Sequence, residues 1–352
     1  MLSLVTGSSG LLGRCLVEQL RERGDGIRRL DLVCPDEGDS SRASEYVRGD
    51  ISEEGPLEDA ARGVEVIYHL AAAQRMKPQF SGWSEEEIFE TNLNGVRNVL
   101  GVAKRVGARR VVFTSSSAVY GIPRTLPCRE DHPTRPLGAY GESKLSAEAL
   151  CRDAMKQGLD VTVLRPMSLF GPYMSGVFTM LFEWVRRGQP VYLLGRGSNR
   201  VQAASAWDVA DACILAAETT ATSEQVFNLG SEPQTVPTVF ETVRGLIEYA
   251  GTGSPILRIP AVAVRTAARV LRRFDKSPIV PEHYILADRN FVLDIEAAKS
   301  RLSWRPRYDN QQMMTDAYDW YVKAGPEVWQ TVHPTVRFLN WLVAARLLPT
   351  RG

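Results

Sequence analysis

The sequence lacks a strong excess of either charge, and its few cysteines and histidines show no metal-binding pattern. Of 352 residues, 42 are basic and 41 acidic, giving a formal net charge of +1. This balance provides no overall field to attract nucleic acid or an anionic membrane surface, so we expect neither as a general partner. The five cysteines and four histidines are scattered without ligand spacing, which argues against a disulfide framework and against a metal site. The cysteines are typical of reduced thiols in a cytoplasmic protein.

The sequence also lacks a hydrophobic run long enough to cross a bilayer, which needs about 20 apolar residues. An apolar stretch near the C-terminus, residues 336–348, is interrupted by Arg337, Asn340 and Arg346. We expect an apolar tail helix over 331–352 that docks on its own domain, covers a substrate lobe or touches a membrane surface. Because a strand pattern begins at residue 2, we expect no signal peptide.

A glycine-rich turn follows the first apolar strand and opens a helical pattern that runs to about residue 23. The turn reads Thr-Gly-Ser-Ser-Gly-Leu-Leu-Gly over residues 6–13. Gly7 allows a tight turn, Gly10 lets the backbone approach a pyrophosphate, and Gly13 permits close packing of helix against strand. The free N–H groups and positive dipole end of the helix would face the phosphates. This context predicts a dinucleotide-binding site.

Asp31 lies near the end of the next apolar strand, predicted over 27–33, and 18 residues beyond Gly13. A carboxylate at this distance accepts hydrogen bonds from the adenosine ribose and repels a 2′-phosphate. The sequence therefore favours NAD over NADP as the cofactor.

Short apolar strands alternate with helical patterns, which predicts an α/β fold with a Rossmann-type, doubly wound parallel sheet. The strands are predicted over 2–6, 27–33, 64–70, 110–115 and 161–165. After residue 172 the pattern is mainly helical, with short strands at 191–194 and 226–229 that belong to a second lobe or return to the main sheet. The later helices are predicted over 177–187, 208–218, 236–250, 261–273, 296–302 and 311–322. We expect an NAD-binding domain over 1–172 and a smaller substrate-binding lobe over 173–330.

Tyr140 and Lys144 form the candidate acid–base pair. Residues four apart share one face of a helix, so the phenol and the ammonium can meet over one site. A nearby cation favours the phenolate, which would let Tyr140 act as an acid or base near neutral pH. Ser116 is a candidate partner for Tyr140, because it lies in a run of three serines 24 residues earlier.

Eight motifs occur in an order that resembles the extended short-chain dehydrogenase/reductase family, which includes NAD-dependent epimerases, dehydratases and 3β-hydroxysteroid dehydrogenases. The resemblance runs from residue 1 to about residue 323. The motifs are TGSSGLLG from Thr6, GDI from Gly49, YHLAA from Tyr68, TNLNGVRNVL from Thr91, TSSSAVYG from Thr114, Tyr140 with Lys144, LRPMSLFGP from Leu164 and FNLGS from Phe227.

The resemblance implies hydride transfer with NAD at a secondary alcohol or ketone carbon. Ser116 would hydrogen-bond the substrate oxygen, Tyr140 would move the proton, and Lys144 would hold the nicotinamide ribose and lower the pKa of Tyr140. Asn92 is either an active-site polar group or a helix N-cap. The implied cofactor-binding residues are Gly7, Ser9, Gly10, Leu11, Leu12, Gly13, Asp31, Asp50, Ile51, Leu70, Ala71, Ala72, Asn92, Ser115, Tyr140, Lys144 and Pro166. The resemblance also implies a homodimer, formed through helices near 96–106 and 140–155.

Departures from the patterns of the subfamilies narrow the set of reactions expected for this chain. Dehydratases carry an Asp–Glu pair where this chain has Ser117 and Ala118, so dehydration is disfavoured. The stretch Ser-Ser-Ala-Val-Tyr-Gly is most similar to the 4-epimerases. Those enzymes usually have Asn in place of Ser168 and an Arg-Asp pair in place of residues 201–202, although Arg200 lies one position out of register. We expect Ser117, Ser168 and Arg200 to contact the substrate.

Three hypotheses follow for a small-molecule ligand. A sugar-nucleotide epimerase is slightly favoured, and the alternative is a 3β-hydroxysteroid-like dehydrogenase or ketone reductase for an apolar substrate. The third hypothesis is a nonenzymatic NAD-sensing protein. It is disfavoured because such proteins typically lack the tyrosine or the lysine, and this chain has both Tyr140 and Lys144.

Overall fold

The computed structural model describes residues 1–33, 44–74, 82–174, 177–219, 225–262, 266, 286 and 288–325. The tail predicted over 331–352 and most of the helix predicted over 261–273 lie outside the described residues. Within the described residues, no helix has both the length and the apolar character needed to span a membrane.

The main sheet has seven parallel strands flanked by helices, which confirms the predicted fold class. The strands are β1 (Leu2–Thr6), β2 (Gly26–Asp31), β3 (Ser44–Arg48), β4 (Val66–His69), β5 (Arg110–Thr114), β6 (Val161–Pro166), β7 (Leu169–Phe170), β8 (Val191–Leu194), β9 (Ala204–Ser205), β10 (Val226–Leu229) and β11 (Ile256–Ile259). The helices are α1 (Leu11–Glu22), α2 (Glu54–Ala61), α3 (Glu85–Val106), α4 (Ala139–Lys156), α5 (Val177–Arg186), α6 (Ala206–Glu218), α7 (Val239–Ala250), α8 (Glu296–Arg301) and α9 (Asn310–Ala324).

The strand order β3-β2-β1-β4-β5-β6-β10 reverses direction between β1 and β4. From β1 the chain moves outward through β2 and β3, and it then returns to β4 on the other side of β1. In doubly wound sheets, ligands bind in the crevice outside the carboxyl ends of the strands at this reversal. The glycine turn after β1 and the segment after β4 therefore lie at the edge where a cofactor is expected.

The strand predicted over 226–229 joins the main sheet beside β6, whereas the strand at 191–194 pairs with β11 in a separate two-stranded sheet. Strand β3 was not predicted. Its Glu45 and Arg48 are exposed, and as an edge strand it lacks the continuous apolar run of a strand buried on both faces.

Apolar side chains cover both faces of the main sheet and fill a third cluster in the lobe. One face packs against α1 and α6, through residues such as Leu16, Leu20 and Val209. The other face packs against α2, α3 and α4. Burying one such leucine contributes about 1.5–3 kcal/mol. The third cluster includes Phe182 of α5 and Leu246 of α7, so the lobe has an apolar core of its own.

Candidate active site

Two glycines of the turn after β1 occupy positions that no larger residue fits. Gly7 has φ +71°, and a Cβ there would lie 2.6 Å from the backbone nitrogen of Ala71. A Cβ on Gly13 would lie 2.2 Å from the carbonyl oxygen of Gly7. The turn is therefore clamped between its own helix and the segment after β4. The buried Ser8 hydroxyl within the turn has no hydrogen-bond partner among the described residues. A closely approached turn with an unsatisfied polar group fits a bound phosphate.

Asp31 lies at the carboxyl end of β2, directly beside this turn. One of its oxygens accepts a hydrogen bond from the backbone N–H of Ser9 (2.9 Å), and the other accepts from the backbone of Val33 (3.4 Å). A carboxylate has about four acceptor positions, so Asp31 can also accept from a ribose hydroxyl. Arg28 of the same strand forms an ion pair with Glu45, which argues against a role in binding a 2′-phosphate. These contacts fit NAD and not NADP.

Asp50 and Ile51, predicted beside the adenine, differ in their surroundings. Asp50 is half-buried and accepts the backbone N–H of Ser52 (2.8 Å). The side chain of Ile51 is buried beneath α3, where a Cβ on Gly95 would lie 2.3 Å from its Cδ1. The side chain of Ile51 thus fills the core at the close approach of α3, and the placement of this residue beside the adenine stays a prediction.

Asn92 joins the segment after β4 to the start of α4. Its Oδ1 accepts the backbone N–H of Ala73 (2.7 Å), while its Nδ2 donates to the Ala73 carbonyl and to the Ser143 hydroxyl (both 3.0 Å). Ser143 in turn donates to the Tyr140 carbonyl (2.8 Å). The N-cap alternative for Asn92 is wrong, because Asn92 lies within α3, whose N-cap is Ser84 in a capping box.

The structure brings Ser116, Tyr140 and Lys144 together after β5. Ser116 caps the short helical turn Ser117–Tyr120, and its hydroxyl accepts the backbone N–H of Ala118 (3.1 Å). The hydroxyl also hydrogen-bonds the phenol of Tyr140. Lys144, one turn further along α4, is buried, and its Nζ lies 5.8 Å from the Tyr140 ring centroid. The grouping predicted from the sequence is therefore present.

The pKa of Tyr140 reflects its burial. Burial raises the pKa of Tyr140 to about 12, and the hydrogen bond from Ser116 only partly offsets this. The ammonium of Lys144 donates to the carbonyl oxygen of Thr114 (2.8 Å). Desolvation of the phenolate dominates the pKa in this structure, and the lowering by Lys144 stays a prediction. Tyr140 is thus protonated at neutral pH and is ready to donate a proton.

His69 is a neighbour of Lys144 that sequence reasoning missed. It is 1% exposed, its Nδ1 lies 2.8 Å from the Thr6 hydroxyl oxygen, and its ring stacks on Phe113 (5.7 Å between centroids). Burial, aided by the charge of Lys144, lowers the pKa of His69 to about 3. The imidazole therefore stays neutral beside the lysine. The sequence did contain a signal for it. His69 lies in the Tyr-His-Leu-Ala-Ala motif, directly before Leu70, which we predicted to bind the cofactor.

The remaining predicted cofactor contacts lie around this group. Leu70, Ala71 and Ala72 follow β4 directly and are half-buried, and Pro166 ends β6. The hydroxyl of Ser115, by contrast, donates to the buried carboxylate of Glu148 (2.6 Å). The hydroxyl of Ser115 is thus engaged within the protein, and a contact of this residue with the cofactor stays a prediction.

Glu148 belongs to a buried polar network that supports the catalytic turn. Arg165 holds its carboxylate in a two-pronged contact, with Nε and Nη2 at 2.8 and 2.7 Å. The same guanidinium donates to the hydroxyl of Tyr120 (2.7 Å), the last residue of the turn that Ser116 caps. This network links α4, β6 and the turn through hydrogen bonds, and it was not identified from the sequence.

The three predicted substrate residues are not equally available. Ser117 is buried, and Ser168 is exposed after β6. Arg200 is exposed, but its guanidinium donates to the carbonyl oxygen of Val236. Gln202 is fully buried and accepts the backbone N–H of Leu293 (2.8 Å). Gln202, one of the two residues that replace the Arg-Asp pair of the 4-epimerases, therefore has a structural role in this chain.

Comparisons with known proteins agree with this geometry. The family model described as the NAD dependent epimerase/dehydratase family matches residues 3–230. The protein y4nG of Sinorhizobium fredii is 34% identical over 91% of this chain and 78% of its own length. The 3β-hydroxysteroid dehydrogenase/Δ5→4-isomerase of Mycobacterium tuberculosis is 29% identical over 91% of this chain and 90% of its own.

Among solved structures, MoeE5 in complex with UDP-glucuronic acid and NAD superposes with a TM-score of 0.73 at 26% identity, covering 92% of this chain and 99% of that one. The match to the family model spans the glycine turn, Asp31 and the Ser116–Tyr140–Lys144 group. The chain therefore belongs to the NAD-dependent epimerase/dehydratase family and is an NAD-dependent oxidoreductase of the extended short-chain dehydrogenase/reductase type.

Proposed function

We propose that Tyr140 is the proton donor and acceptor for hydride transfer between NAD and a secondary alcohol or ketone carbon. The observation that carries this proposal is the grouping of Ser116, Tyr140 and the buried Lys144 after β5, with the Lys144 Nζ 5.8 Å from the Tyr140 ring centroid. Ser116 orients the substrate oxygen, and Tyr140 donates its proton to that oxygen when a ketone is reduced. Bound NAD would supply the hydride chemistry at its nicotinamide ring.

The residues that would hold the cofactor line the crevice at the carboxyl ends of β1, β2 and β4. The backbone of residues 7–13 would bind the pyrophosphate, and Asp31 the adenosine ribose. Asp50 would lie beside the adenine, and Lys144 would hold the nicotinamide ribose. Asn92 joins the segment after β4 to α4. This fixes the position of Tyr140 relative to the residues that would line the cofactor crevice.

For the substrate we propose first a sugar nucleotide whose secondary hydroxyl carbon is oxidised and then reduced again, which inverts that carbon. Support comes from the Ser-Ser-Ala-Val-Tyr-Gly stretch ending at Gly121 and from the likeness to MoeE5, which was solved with UDP-glucuronic acid and NAD. Ser117 and Ala118 stand where a dehydratase needs carboxyl groups, so no water is eliminated.

A second candidate is a dehydrogenase or ketone reductase for an apolar secondary alcohol. The specific observation in its favour is that Arg200 is bonded to a main-chain carbonyl, while the neighbouring Gln202 is buried. A nucleotide diphosphate would thereby lose charge-assisted contacts at this position. The M. tuberculosis hydroxysteroid dehydrogenase is similar along almost its whole length.

The test is to purify the protein without added cofactor and identify any released ligand by mass. An epimerase would retain NAD tightly, and it would convert one of a panel of UDP- and dTDP-sugars into its epimer without net NADH. A dehydrogenase would exchange NAD and accumulate NADH with a hydroxysteroid or another secondary alcohol. Absence of hydride transfer with every member of both panels would contradict both candidates and favour the NAD-sensing alternative.

We also propose a homodimer formed through α3 and α4, a cytoplasmic location, and a boundary near residue 172 between the NAD-binding domain and the substrate lobe. The four described cysteines are buried free thiols, which fits a reducing compartment. The lobe cluster begins with Phe170, close to the proposed boundary. Light scattering tests the homodimer, and a monomer would contradict it. Cell fractionation tests the cytoplasmic location, and an exported protein would contradict it.

A further inference from the structure

Arg14 lies in the first helical turn of α1, directly after Gly13, and its side chain turns back towards the glycine turn. Its Nε donates to the carbonyl oxygen of Ser9 at 3.1 Å. Helical side chains tilt towards the N-terminus of their helix, so this contact places the guanidinium beside the turn. Neighbouring Leu11 packs against the lobe cluster, which shows that this side of α1 faces the lobe.

Tyr173 holds the other side of this guanidinium. The Cζ of Arg14 lies 4.5 Å from the centroid of the Tyr173 ring, the distance of a cation–π contact. Tyr173 has φ 67°, a left-handed conformation that is unfavourable for a bulky residue. Its ring also packs against Trp320 of α9, with 5.3 Å between centroids. Strained residues of this kind cluster at ligand clamps.

The charge of Arg14 is not neutralised by an acidic side chain in the described part of the chain. The nearest acid of the cofactor crevice, Asp31, is bonded to the backbone of Ser9 and Val33. The glycine turn beside Arg14 contains the buried hydroxyl of Ser8, which has no partner in the same described residues. A cation and an unsatisfied hydroxyl are both donors suited to an anion.

We propose that Arg14 binds a diphosphate, with Tyr173 and the Ser9 carbonyl holding its guanidinium in place. The diphosphate has two sources, the pyrophosphate of the dinucleotide and the diphosphate of a nucleotide sugar. Only the second source rests on the proposed sugar-nucleotide substrate. In that case Arg14 supplies a cation that Val201 does not.

Calorimetric titration of the full chain tests this role with two probes, NAD and UDP. Arg14→Gln should weaken the binding of at least one probe by about tenfold, the effect of losing a charge-assisted contact. The weakening should shrink at high ionic strength because salt screens the lost attraction. Arg244→Gln is the matched control. Arg244 is an exposed arginine of α7 paired with Glu248, and its loss should leave both affinities unchanged.

The pattern of losses identifies the source. Weaker NAD binding alone assigns Arg14 to the cofactor, and weaker UDP binding alone assigns it to the substrate. If the wild-type protein does not bind UDP, a UDP-sugar substrate is excluded, and the NAD titration alone decides the role of Arg14. Tyr173→Leu, which removes the ring face and keeps the charge, should weaken the same probe to a smaller extent.

Unchanged affinities for both probes in folded Arg14→Gln would overturn the proposal and leave Arg14 and Tyr173 as a structural latch. Thermal unfolding of each variant establishes that it is folded. Should Arg14→Gln fail to fold, Arg14→Met replaces it, since methionine keeps an apolar stem and removes the charge. Wild-type affinities of Arg14→Met for both probes would then overturn the proposal.

Discussion

Lys144 donates a hydrogen bond from its ammonium to the carbonyl oxygen of Thr114 at 2.8 Å. This bond ties helix α4 to the carboxyl end of β5 and fixes a buried positive charge next to the tyrosine one turn earlier. His69 lies behind the lysine and stays neutral. Lys144 is therefore a fixed cation beside Tyr140, and we propose that it positions the cofactor ribose.

The first prediction concerns the ionisation of Tyr140. Because burial raises its pKa to about 12, the phenol should remain protonated in the cofactor-free protein until strongly alkaline pH. Spectrophotometric titration of tyrosinate, compared between the wild type and Tyr140→Phe, should show no ionisation of this residue below about pH 10. A difference signal with a midpoint near neutrality would contradict this assignment and restore Lys144 as the group that lowers the pKa.

The second prediction concerns His69 and stability in acid. Its pKa in the folded protein, about 3, lies below the ordinary value of 6.5. Between these two pH values the unfolded chain binds a proton that the folded protein does not. The free energy of unfolding should therefore fall as the pH falls from about 6.5 towards 3, by an amount on the order of a few kcal/mol.

Chemical denaturation across this pH range measures the effect. His69→Phe should be less stable at neutral pH because it loses the bond to Thr6, but its stability should depend less on pH. His132→Gln, at a half-buried histidine of the loop before α4, serves as the control and should keep the full dependence. Equal pH dependence in the wild type and His69→Phe would show that other groups are responsible.

The third prediction concerns the ion pair between Glu148 and Arg165, which are 0% and 5% exposed. Arg165→Met should lower the free energy of unfolding by about 3–5 kcal/mol, because it leaves a buried carboxylate without its partner. Arg152 provides a control on the same carboxylate, since it is 51% exposed and lies 3.8 Å from Glu148. Arg152→Met should cost about 1 kcal/mol or less. Similar losses in the two variants would refute the structural importance of the buried pair.

The fourth prediction concerns cofactor choice. Asp31→Ala removes the carboxylate that would bind the adenosine ribose and repel a 2′-phosphate. We expect NAD to bind about tenfold more weakly, and the ratio of NADP affinity to NAD affinity to rise. Asp59→Asn, at an exposed acid of α2, removes the same charge elsewhere and should change neither affinity. An unaltered preference in Asp31→Ala would exclude this carboxylate as the discriminating group.

Much of the fold was predictable because buried parallel strands produce continuous apolar runs, as in Val111, Val112 and Phe113 of β5. Edge strand Ser44–Arg48 was missed because its exposed side needs no apolar residues. The catalytic group was predictable for a similar reason, since Tyr140 and Lys144 share one helical face. The pKa of Tyr140 was not, because it depends on how deeply the phenol is buried by residues distant in sequence.

The same limit applies to the side-chain contacts around the site. Ile51 follows an acidic residue of a cofactor motif, but the close approach of α3 at Gly95 draws its side chain into the core. The serine run gives no sign that Ser115 bonds Glu148 while its neighbour Ser116 faces Tyr140. The contact between Arg14 and Tyr173 joins residues 159 positions apart, and no local pattern predicts it.

The measurement that tests the central claim most directly compares the wild type with Tyr140→Phe. Deuterium transfer from the labelled carbinol carbon of the sugar nucleotide to NAD, or from C4-labelled NADH into the ketone, would report hydride transfer, and calorimetry would report NAD affinity. Loss of the tyrosine proton should slow transfer by a factor on the order of 10²–10⁴ and leave NAD affinity unchanged. Tyr249→Phe, at an exposed tyrosine of α7, should match the wild type. Transfer at near-wild-type rates in Tyr140→Phe would remove Tyr140 from the mechanism.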